Sequence, residues 1–187
     1  MSANQELFEF KFYEWEKKFR DNPYLRQPFG DEWEEYTWGK VGDMARSLAP
    51  GLKSLGLRDG AHIGIYSKNC REWIISDLAI VMAGYVSVPF FPSLNGKELS
   101  YIMEYGDVDA LFLGKIETWE DIKNDLPNDM PMITFPHYKG CSEVTRGFKW
   151  HDFINSYEPI QNPNKPKLSD LWTIIFTSGT TGNAKGC

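Results

Sequence analysis

The stretch "HIGIYSKNCREWIISDLAIVMAGYVSVPFF", residues 62–91, decides the fold class. "HIGIY" reads as a buried strand. "REWIISDLAIVMAG" is apolar nearly all round, the pattern of a buried helix. "YVSVPF" is a second strand, so the stretch is strand, helix, strand. The apolar run 78–91 is too short to span a bilayer, and Gly84 and Pro89 interrupt it.

The same alternation continues on both sides. Upstream, Thr37 is a good N-cap for a helix with Val41, Met44, Ala45, Leu48, Leu52 and Leu55 on one face, stopped at Gly56. Pro50 lies inside that pattern and predicts a kink near Ala49 or a fresh helical turn. Phe8, Phe12, Trp15 and Phe19 at helical spacing predict a helix over about 5–20, ended at Asn22-Pro23. That stripe could suggest a lipid-binding face, but helical spacing favours a packing face. "YLRQPF" and "WEEYT" around Gly30-Asp31 read as a hairpin.

Downstream, Asn69 with Glu72, and Asn95 with Glu98, have the spacing of capping boxes. "ALFLG" and "MPMITF" read as further strands, and "ETWEDIKND" as a surface helix. Residues 136–149 read as an irregular loop and "WHDFINSY" as a short helix. The prolines of "EPIQNPNKPK" mark a semi-extended linker. "LWTIIF" is again β-rich. The expectation is an α/β fold, a mainly parallel sheet flanked by helices, with ligands beyond the carboxyl ends of its strands.

Net charge is −6, so no general basic surface attracts nucleic acid or anionic lipid, and an anionic ligand needs a local positive site. Cys70, Cys141 and Cys187 lack metal or CxxC spacing, and His62, His137 and His151 are scattered, so no metal site is assigned. "EWEE" and His151-Asp152 receive no role. The first residues lack a secretory signal pattern. A soluble, cytoplasmic protein is expected.

"FTSGTTGNAKGC", residues 176–187, carries the chemistry. Gly179, Gly182 and Gly186 let backbone N–H groups converge on an anion. Thr177, Ser178, Thr180 and Thr181 add hydroxyl donors, and Lys185 adds a charge on a long stem. Together these are the parts of a polyphosphate grip. The Walker pattern is absent: Ala184 stands where its second Gly would fall, and Gly186 follows Lys185 in place of Ser or Thr.

This motif resembles the phosphate-binding signature of the adenylate-forming, AMP-binding enzymes, with Ala184 where Pro is usual and Phe176 where Tyr is frequent. Residues Tyr36 to Gly114 are similar to the N-terminal part of long-chain fatty-acyl-CoA synthetases, as are Leu171 to Gly186. The resemblance implies a ligase that uses ATP and Mg2+ to form an acyl-adenylate and passes the acyl group to coenzyme A. Thr177, Ser178, Gly179, Thr180, Thr181, Gly182, Lys185 and Gly186 would then hold the β- and γ-phosphates.

It further implies that residues 1–170 are an N-terminal α/β subdomain, with 157–168 as linker, and that 171–187 are a strand plus truncated phosphate loop. The catalytic lysine, the Mg2+-binding acid and a C-terminal domain would lie beyond Cys187, where the loop's return strand should begin. The fragment alone is expected to be inactive, and surfaces exposed by truncation are expected to favour a homo-oligomer. The alternatives are another acyl- or aryl-acid adenylating enzyme and a non-catalytic binding or assembly domain; an unrelated P-loop NTPase is disfavoured by the spacing.

Overall fold

The computed structural model describes residues 8–167, 169–177 and 185–186, with side chains for 11–167 and 169–176. The elements are α1 (Phe8–Phe19), β1 (Pro23–Phe29), β2 (Glu32–Thr37), α2 (Trp38–Ser54), β3 (His62–Ser67), α3 (Arg71–Ala83), β4 (Val86–Phe90) and α4 (Gly96–Tyr105). Then follow β5 (Val108–Gly114), α5 (Trp119–Ile122), β6 (Met132–Thr134), β7 (Phe148–Lys149), α6 (Trp150–Asn155), β8 (Phe176–Thr177) and β9 (Lys185–Gly186).

Residues 62–91 form the expected strand–helix–strand unit, with β3 and β4 parallel. The central sheet has the order β4-β3-β5-β6-β7, and all its pairs are parallel. Alternation along the strands sorts side chains to two faces. Ile63, Ile65, Ala110 and Phe112 pack with α2, α3 and α6 on one side. Tyr66, Leu111 and Leu113 pack with α4 and α5 on the other. Gly64 belongs to this second face, where a Cβ would come within 2.7 Å of Leu111 and 2.8 Å of Phe90.

The first helix uses its apolar stripe for packing. Phe12 is fully buried, 5.6 Å from the Trp38 ring, and Trp15 meets Trp38 edge-on. The hairpin β1–β2 forms as expected and stacks Tyr24 on Trp38 at 3.8 Å. Thr37 caps α2 by accepting from the Lys40 N–H.

Several expectations are corrected. Helix α2 runs through Pro50 to Ser54 as one helix, so no fresh helical turn starts at Pro50. Pro50 has no N–H for the Arg46 carbonyl, which would leave that acceptor orphaned. The N–H of Ile160, from the Pro-rich segment, donates to Arg46 O at 2.9 Å and fills the vacancy. Asn69 and Glu72 form no capping box: Cys70 is the N-cap of α3 and makes no side-chain cap bond. Glu72 is buried and accepts from Tyr138 and Arg71 instead. Asn95 and Glu98 do form the reciprocal box at α4.

"ETWEDIKND" yields only the four-residue α5, and its Trp119 and Ile122 are buried. The "irregular" segment 136–149 contributes a fifth strand, β7, through Phe148 and Lys149. Residues 157–167 lie along α2 and α3. Asn164 receives the Tyr13 hydroxyl at 2.8 Å, and its own N–H groups donate to Met82 O and Val81 O at the end of α3.

Candidate phosphate-binding site

The segment entering the Gly/Thr loop lies on the outer edge of β4. Ser87 N–H donates to Trp172 O and Ile174 N–H donates to Ser87 O, both at 2.9 Å. Thr173 thus bridges Ser87 in parallel, a single bridge where "LWTIIF" predicts a full strand. Three residues further along each chain, Phe176 stacks on Phe90 with ring centres 6.2 Å apart. Phe90 is the last residue of β4, so the chain enters the loop at the carboxyl edge of the parallel sheet. This is the edge at which open α/β sheets bind ligands.

Phe176 is buried, and its seat is specific. Tyr105 contacts it edge-on at 6.2 Å, and a Cβ on Gly106 would come within 3.1 Å of its ring. Phe90, Tyr105 and Gly106 thus form the seat of Phe176, the residue just before the motif. Sequence reasoning assigns them no part in the site. The repeated apolar pattern marks Phe90 as core, but only the fold brings α4 against the residue before the motif.

Thr177 pairs antiparallel with Lys185, and Phe176 with Gly186. Of the expected phosphate-binding residues, Thr177, Lys185 and Gly186 therefore meet across a two-stranded hairpin base. Ser178, Gly179, Thr180, Thr181 and Gly182 lie outside the described residues. The return strand already includes Lys185 and Gly186, earlier than the expected start at Cys187.

Behind the entering segment sits Asp77 of α3. Burial pushes its carboxyl pKa above the ordinary carboxylate range, and the Ser87 hydroxyl opposes the shift. On the other face of α3, the Tyr138 hydroxyl donates to Glu72, and burial with the adjacent carboxylate raises the Tyr138 phenol far above its usual range. Arg71 links Glu72 to Glu34 of the hairpin and lies over the Phe29 and Tyr36 rings. Burial pushes the Cys70 thiol up to about 11, so it stays a thiol at neutral pH and is a poor nucleophile. No group of three or more His, Cys, Asp or Glu among the described residues is placed to hold a metal ion.

The parallel sheet flanked by helices defines an α/β class of domain. Within that class, the chain belongs to the AMP-binding enzyme family, whose model matches residues 12–187. It is 31% identical to long chain acyl-CoA synthetase 4 of Arabidopsis thaliana over 186 residues, covering 91% of this chain and 28% of the relative. It is 26% identical to the long-chain-fatty-acid–CoA ligase ACSBG2 of Rattus norvegicus, covering 94% of this chain and 28% of the relative. The chain thus spans little more than a quarter of the length of these relatives.

Its fold is similar to that of the anthranilate CoA ligase AuaEII, solved with anthranoyl-AMP, at a TM-score of 0.80 and 22% identity, covering all of this chain and 36% of that one. It is equally similar to a luciferase-like enzyme of Zophobas morio, at a TM-score of 0.80 and 20% identity, covering 43% of that chain.

Proposed function

We propose that this chain is the N-terminal, phosphate-binding part of a ligase that activates long-chain fatty acids with ATP and transfers the acyl group to coenzyme A. The observation that supports it most is the motif at 177–186, entered at the carboxyl edge of a parallel sheet in a chain matching the AMP-binding family over 12–187. The long-chain specificity rests on curated relatives at 31% and 26% identity.

In this reading Thr177, Ser178, Thr180, Thr181 and Lys185 hold the β- and γ-phosphates while the carboxylate attacks the α-phosphate. Preorganised donors act most strongly where charge builds during transfer, here on the departing pyrophosphate. The glycines let the backbone approach the phosphates and let the loop close and open. Coenzyme A thiol then displaces AMP from the acyl-adenylate. Mg2+, when bound with ATP, would neutralise charge on the phosphates that Lys185 and the loop hydroxyls hold. A cytoplasmic location is part of the same proposal.

ATP–pyrophosphate exchange tests it, run on a longer protein that contains this chain and on the 187 residues alone. Exchange dependent on long-chain fatty acids is expected in the longer protein, lowered at least about 100-fold by Lys185→Ala, the scale of losing one oxyanion-stabilising donor. The 187 residues alone should show none. Exchange driven only by aryl acids would replace the substrate class. Exchange by no acid would favour a binding or assembly domain.

A further inference from the structure

On the reading that residues 177–186 hold the phosphates of ATP, we infer that Tyr105 of α4 is a positioning residue for Lys185. Its ring walls in Phe176, and Phe176 sets where the Lys185 backbone stands. Tyr105 touches no reacting group and acts through Phe176 and Thr177.

Tyr105 ends α4 and is 63% exposed, so burial gives little reason for an aromatic residue there. Its ring meets Phe176 edge-on at 6.2 Å, a favourable geometry for two aromatic rings. Tyr101, one helical turn back and itself half exposed, stacks on Tyr105 at 6.5 Å and braces it. The other walls of the seat have further duties. Phe90 is 4% exposed and packs over Gly64 in the core. A Cβ on Gly106 would come within 3.1 Å of Ile102 O as well as of the Phe176 ring. Tyr105 is the wall that can be altered without disturbing the core.

From Phe176 the constraint passes along the backbone. The Ile174 N–H donates to Ser87 O at 2.9 Å and ties the same segment to β4. Phe176 then pairs antiparallel with Gly186, and Thr177 with Lys185. Two strands of two residues each have little stability of their own, so their place depends on what holds Phe176. The Lys185 ammonium is a point charge on a flexible stem, aimed by its backbone. Charge that is preorganised acts most strongly, and small misplacements forfeit much of the effect.

The test is a double-mutant cycle between Tyr105 and Lys185 in a longer protein that contains this chain, read by ATP–pyrophosphate exchange. Tyr105→Ala should lower the maximal rate about tenfold, within the roughly 100-fold that a misplacement of ~1 Å can cause. The KM for the carboxylic acid should not move, and Tyr105→Phe should restore the rate, because the ring makes the contact. In a Lys185→Ala background, Tyr105→Ala should lower the rate less than about twofold, since the two residues act as one unit. Trp33→Ala, an equally exposed aromatic on the hairpin, should leave the rate unchanged. A second readout needs no catalysis. In the dilute 187-residue chain, Tyr105→Ala should speed hydrogen exchange about tenfold in a peptide spanning Ile174 and leave a peptide spanning Ile65 of β3 unchanged, the pattern of a local opening. The same tenfold loss of rate in the Lys185→Ala background, or equal exchange changes at Ile174 and Ile65, would overturn the inference. An unchanged Ile174 peptide would do the same. If the parent protein shows no exchange with any acid, the phosphate reading fails, and the two peptides still decide whether Tyr105 positions the hairpin base.

Discussion

Asp77 shows what a single carboxylate does when the fold buries it. Its pKa is raised in the folded chain above the ordinary value of 3.8, so the folded state holds its proton more tightly than the unfolded state does. Stability contributed by that proton is complete below the unfolded value and declines as pH rises toward the folded value. Asp77→Asn keeps the site neutral at every pH. It should therefore be more stable than the parent at pH 7, with the difference vanishing near pH 3. Urea unfolding at the two pH values checks this, and a less stable Asn variant at pH 7 would refute it. Glu72 gives the contrasting case. It is more deeply buried than Asp77, yet Tyr138 and Arg71 both donate to it, so its charge is matched where it lies. Spacing alone marks Glu72 as a capping residue. The same spacing at Asn95 and Glu98 does make a cap, because Glu98 remains at the surface and can turn back to the Asn95 N–H.

At the scale of elements, the Pro-rich segment and α2 explain each other. Pro50 inside an unbroken helix would cost about 3 kcal/mol. The Ile160 N–H restores the missing hydrogen bond to Arg46 O, and Asn164 closes the carboxyl end of α3 beside Gly84. The amides of Ile160 and Asn164 should therefore exchange with solvent at least tenfold slower than the exposed amides of Gln161 and Lys165. Native-state hydrogen exchange checks it, and uniform fast exchange across 158–167 would show a free linker instead. Composition predicts a linker here because three prolines exclude helix and ladder alike. It cannot show that one remaining N–H meets the one helix carbonyl that Pro50 leaves open. The short strand β7 is hidden for a related reason: two residues have no periodicity, and Phe148 and Lys149 become a strand only because β6 offers them an edge.

At the scale of the whole molecule, two apolar layers lie on the two faces of one parallel sheet. The chain leaves large apolar side chains in solvent near the β4 edge: Phe91, Tyr101, Tyr105, Leu171 and Ile175 are each about half exposed or more. Contiguous exposed apolar surface favours association. The 187-residue chain should therefore run as a dimer or larger assembly at tens of micromolar by light scattering, and dilution should dissociate it; a monomer throughout that range would refute this. The same edge carries Phe176 and the entrance to the Gly/Thr loop, so association should also slow exchange at Ile174.

The sequence by itself determined the alternation of strands and helices, the hairpin, and the caps at Thr37 and Asn95, and it shows the Gly/Thr/Lys composition of residues 177–186. These depend on local pattern: apolar period, capping side chains, and glycines beside hydroxyls. Tertiary structure alone decided how Pro50 is tolerated, which acid is buried and matched, and that Phe176 rests on Phe90, Tyr105 and Gly106. Each of these joins residues distant in the chain, and a hydrogen bond or ring contact between them depends on where the sheet order brings them, which no local window contains.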